Sequence, residues 1–180
     1  MRERTRRPLA TPVGLALVGG ALWWAIGSLA FPSGLGTLVL ALGLLVAGAL
    51  HWAARRRAEP PRPAVHSGWW RLVLLGGLLG VATAFGLGAL GYGELAVPVA
   101  CMIVGGCLIP AAGLLDRRGC LPLGAALMLL GACGALLALR SVGELYPRGL
   151  VGLGAGTLLF AAAAVDAGVH RELRAKIGSR

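Results

Sequence analysis

Residues 93–118 read GELAVPVACMIVGGCLIPAAGLLDRR. Between Glu94 and Asp116 there is no charge at all. The two acids stand 22 residues apart. At 1.5 Å per residue that is about 33 Å of helix, the thickness of a bilayer's hydrocarbon core. A strand of this length would be far too long. A helix also pairs its own backbone groups, which a solvent without hydrogen bonds demands. The stretch therefore reads as one transmembrane helix with an acid at each boundary.

The rest of the chain repeats this reading. Apolar runs cover residues 12–31, 34–52, 69–92, 94–115, 120–139 and 149–168. Of the 180 residues, 57% are hydrophobic and 13% charged, with a mean hydropathy of +0.80. That leaves too few polar residues to cover a soluble domain. The expected fold is all-α: a single polytopic membrane domain over 1–180, with six transmembrane helices forming a six-helix bundle. Its one real linker is 53–68, AARRRAEPPRPAVHSG, whose prolines and charges predict a cytoplasmic loop. The first span has a basic start and a cleavage-like Ser28-Leu29-Ala30. It still reads as a retained helix, because the next span follows almost at once.

Charge sets the orientation. Of the 17 basic residues, 15 lie in the N-terminal tail, the second gap with the start of the third span, the fourth gap and the C-terminal tail. Arg140 and Arg148 alone lie on the other side. The positive-inside rule then places both termini in the cytoplasm. The bias to Arg, Ala, Gly and Leu points to a GC-rich bacterial genome, and so to the bacterial cytoplasmic (inner) membrane. The net charge of +10 does not indicate nucleic acid, because the basic residues flank apolar spans instead of forming one polar stripe. Membrane lipids are the expected partners, with a second copy of the chain or another membrane protein as further candidates.

An internal repeat shows at an offset of 50. Gly93-Glu94-Leu95 returns as Gly143-Glu144-Leu145, and Asp116 returns as Asp166. A proline follows each glutamate, Pro98 and Pro147. The spans thus pair as three helical hairpins in parallel pseudo-repeat, with any axis along the membrane normal. Six spans in three hairpins, with Tyr146-Pro147, the Gly-rich run 149–164 and Asp166-Ala167-Gly168, resemble in outline the HdeD-type acid-resistance membrane proteins. The likeness is one of architecture and implies no site residue.

Chemistry is sparse. No cofactor or metal motif occurs, and Cys101, Cys107, Cys120 and Cys133 have neither paired spacing nor a ligand-spaced His. They read as small packing residues and free thiols. No nucleophile within the spans has a histidine near it in sequence. The functional candidates are Glu94 and Glu144, which would face each other at the mouth of a cavity, with Asp116 and Asp166 at the opposite boundary. Each also reads as an interface anchor. Trp24, mid-span, is the remaining candidate. Its indole N–H needs a partner, and Ser28 one turn away is the expected one. Gly76xxxGly80 and Gly152xxxGly156 allow close helix approach. These features favour a small non-enzymatic membrane protein, a transporter-like bundle or an accessory subunit of a complex. The alternative is a membrane enzyme acting on a lipid or isoprenoid through the boundary acids Asp116 and Asp166.

Overall fold

The computed structural model describes residues 12–56, 68–114, 119–140 and 147–166. Six α-helices account for nearly all of them, and no strand occurs among the described residues. They are α1 (Pro12–Ser28), α2 (Ser33–Arg56), α3 (Gly68–Ala89), α4 (Ala96–Leu114), α5 (Cys120–Leu139) and α6 (Pro147–Asp166). A 3₁₀ turn, Gly93–Leu95, leads into α4. Five of the helices are long and apolar enough to cross a bilayer. The sixth, α1, has 17 residues and is shorter.

Local chemistry sets the ends. Gly91 ends α3 with φ +82°. Tyr92 N–H donates to the Leu87 carbonyl and Gly91 N–H to that of Gly88. This is the Schellman arrangement, which needs a left-handed residue that glycine supplies without strain. Pro32 ends the α1 turn, since it cannot continue a helix. Pro98, Pro122 and Pro147 fall in the first turns of α4, α5 and α6, where a missing N–H loses nothing. Pro110 is interior to α4 and leaves the Gly106 carbonyl without its helical donor. The linker expected from residue 53 begins later, because α2 runs on to Arg56. Ala and Arg are good helix formers, and Arg55 and Arg56 complement the helix C-terminal dipole. The Arg56 guanidinium also lies 3.5 Å over the Trp52 ring.

The closely packed pairs α1–α6 and α4–α5 run antiparallel, and glycines fix their register. In α1–α6, a Cβ on Gly152 would stand 2.5 Å from the Gly27 Cα, and one on Gly156 would stand 3.0 Å from the Gly20 carbonyl. In α4–α5, Gly105 and Gly124 face each other: a Cβ on either would come within 2.6–2.7 Å of the other's carbonyl oxygen. Two turns further along, Gly131 lies against Pro98 and Met102. Without a hydrophobic drive inside lipid, such backbone approach is what holds helices together. The predicted hairpin partners α1–α2, α3–α4 and α5–α6 also pack. Among the described residues, α2 and α3 have no packed interface with each other.

The core lies on α6. In the best apolar window of each span, 44% of α6 is buried, against 6% for α2 and 6% for α3. Trp23, Cys101, Leu127, Val151, Ala155 and Leu159 form one buried cluster drawn from α1, α4, α5 and α6. The Cys101 thiol donates to the Leu127 carbonyl at 3.3 Å. All four cysteines are free thiols.

Candidate functional site

A cleft of about 520 Å³ opens at one end of the bundle. Three elements meet there: the end of α1, the 3₁₀ turn before α4, and the start of α6. Ile26, Leu29, Ala30 and Val97 supply an apolar wall, and Glu94 and Arg148 supply the charges. The Schellman turn at Gly91 delivers Glu94 to this position. Pro147 opens α6, so that Arg148 projects from its first turn. Arg148 reaches across to the 3₁₀ turn, and a Cβ on Gly93 would stand 3.2 Å from its Nη2. A side chain at Gly93 would push the guanidinium away.

Glu94 and Arg148 are both exposed, and neither takes part in an ion pair or side-chain hydrogen bond among the described residues. One carboxylate and one guanidinium therefore share a mostly apolar cleft. Helix N-termini of α4 and α6 point the same way and add positive potential.

The sequence-predicted residues do not gather at this cleft. Glu94 lines it. Trp24 does not: its Nε1 donates to the Val39 carbonyl of α2 at 2.6 Å, and its ring lies against Gly43 and 5.8 Å from the Phe160 ring. Ser28, the expected acceptor, instead donates to the Ala25 carbonyl at 2.7 Å. Trp24 thus ties α1 to α2 and α6 as a packing residue. Asp166 ends α6, at the far end of the bundle from the cleft, and it is engaged in an interaction of its own. Glu144 and Asp116 lie outside the described residues, as do the pairings expected of them. The register overlay of Glu94 on Glu144 and Asp116 on Asp166 lies outside them for the same reason.

Sequence reading missed Arg148 as a cleft residue, using it only to set the orientation. Its signal was present, since it is one of two basic residues on the sparsely charged side. Ile26, Leu29 and Ala30 had no such signal, because nothing in an apolar run says that α1 lies against α6. Comparison with protein-family models, with curated proteins and with solved structures finds no match to this chain.

Proposed function

We propose that the chain is a non-enzymatic accessory subunit of a bacterial inner-membrane complex, and that a helix of its partner lies along α3. The observation that carries this reading is an open glycine face. Gly77, Gly80, Ala84 and Gly88 fall within roughly 80° of one another on the α3 helical wheel. A Cβ on any of the three glycines would meet nothing within 4 Å. The glycines of α1, α5 and α6 are mostly closed by neighbouring backbone or side chains. An unused glycine weakens a helix by roughly 0.5–1 kcal/mol relative to Ala. Lipid chains do not need one, whereas a helix approaching closely does. Among the described residues, α3 packs against α4 and the 3₁₀ turn and has no packed interface with α2.

After mild extraction, the protein should migrate within an assembly that contains a second polypeptide. Gly80→Leu should release it as a monomer, while Gly106→Leu on α4, another open glycine, leaves the assembly intact. A wild-type monomer, or an assembly of this chain alone, would overturn the accessory-subunit reading.

The proposed orientation puts both termini in the cytoplasm and the Glu94 cleft on the outer side. The 15-to-2 division of basic residues supports it. A reporter active only in the periplasm is expected to work when fused after Pro32 and to stay silent at the C-terminus; the reverse pattern inverts the topology. The three-hairpin repeat belongs to the same proposal. Gly68 and Cys120 open α3 and α5 at a separation of 52 residues, and Ala96 and Pro147 open α4 and α6 at a separation of 51. Those spacings lie within two residues of the offset of 50 in the sequence.

A further inference from the structure

We propose that the cleft between α1, α4 and α6 binds the headgroup of a zwitterionic phospholipid with a primary ammonium, the phosphoethanolamine group. This goes beyond the accessory-subunit reading and does not depend on it.

The argument starts from depth. The cleft sits at the ends of membrane-crossing helices, where headgroups lie. Tyr92, 58% exposed beside the 3₁₀ turn, carries the amphipathic ring typical of that level. Leu29, in the cleft lining, is 84% exposed and so offers apolar surface to a lipid's glycerol and first methylenes.

Charge gives the headgroup. The Arg148 guanidinium offers a planar fork of donors that matches a phosphate. The Glu94 carboxylate accepts hydrogen bonds from an ammonium. Each lacks a protein partner among the described residues, so a ligand with both groups would satisfy both. A phosphoglycerol headgroup would satisfy Arg148 but bring Glu94 only neutral hydroxyl donors, weaker than a charged ammonium. A phosphocholine headgroup brings a cation to Glu94 but has no N–H to donate.

Native mass spectrometry of the full chain tests this, after release from nanodiscs of equimolar phosphatidylethanolamine, phosphatidylglycerol and phosphatidylcholine. Wild type should retain phosphatidylethanolamine roughly fivefold over each competitor, about 1 kcal/mol of selectivity. Glu94→Gln should erase the preference over phosphatidylglycerol. Arg148→Gln should lower retention of all three. Arg71→Gln, exposed at the opposite end, should change nothing. Equal retention of the three lipids by wild type, unchanged selectivity in Glu94→Gln, or unchanged retention in Arg148→Gln would overturn the proposal. Displacement of the lipid by equimolar soluble glycerophosphoethanolamine would overturn the lipid assignment and transfer the same chemistry to a free phosphodiester.

Discussion

Gly152→Leu is expected to lower the unfolding free energy by about 3 kcal/mol, among the largest effects of any single substitution in this chain. The Cβ alone would stand 2.5 Å from the Gly27 Cα and 2.6 Å from its nitrogen. Those atoms are helix backbone and cannot turn aside as a flexible side chain would. Both helices must separate, and Trp23, Val151 and Ala155 beside the contact lose their packing with them. Dispersion falls off steeply with distance, so a gap of an ångström forfeits much of that attraction. Unfolding titrations with SDS in mixed micelles measure the loss. Gly106→Leu on the open side of α4 is the control, since its Cβ meets nothing within 4 Å. Equal stability of Gly152→Leu and wild type would mean that α1 and α6 do not approach in this register.

The second large effect separates two adjacent glycines. Gly105→Ala should destabilise the bundle by about 1–3 kcal/mol, whereas Gly106→Ala should leave it unchanged or stabilise it by up to about 1 kcal/mol. A Cβ at Gly105 would meet the Gly124 carbonyl at 2.6 Å and the Met128 nitrogen at 2.9 Å. One at Gly106 would meet nothing within 4 Å. The two changes are chemically identical and one residue apart, so helix propensity and expression effects cancel in the comparison. The same unfolding titration reads both. A Gly106 variant as damaged as the Gly105 variant would place the α4–α5 interface on a different face of α4.

Both predictions depend on information that the sequence holds only in part. Gly76xxxGly80 and Gly152xxxGly156 are the same pattern on paper. In the fold, Gly152 and Gly156 both lie against α1, while Gly76 meets Cys107 and Gly80 meets nothing. Trp23 and Trp24 are likewise adjacent and chemically identical. The first is 7% exposed within the core cluster, and the second packs toward α2, where its indole N–H finds the Val39 carbonyl. Ser28 was the obvious local acceptor for Trp24, and it turned instead to its own helix at Ala25.

The sequence by itself determined that the chain is helical and suited to a bilayer. Length and hydropathy decide that, because a medium without water forces each apolar run of about 20 residues to close its own hydrogen bonds. It also placed an acid at the start of the fourth span, where the 3₁₀ turn now presents Glu94. Only the tertiary structure decided that α1 lies against α6, that α4 lies against α5, and that Arg148 stands opposite Glu94 in one cleft. In water, the apolar stripe of a helix announces which face is buried. In lipid, the face toward a neighbour and the face toward acyl chains are equally apolar, so the choice falls to backbone shape, which only the packed helices reveal.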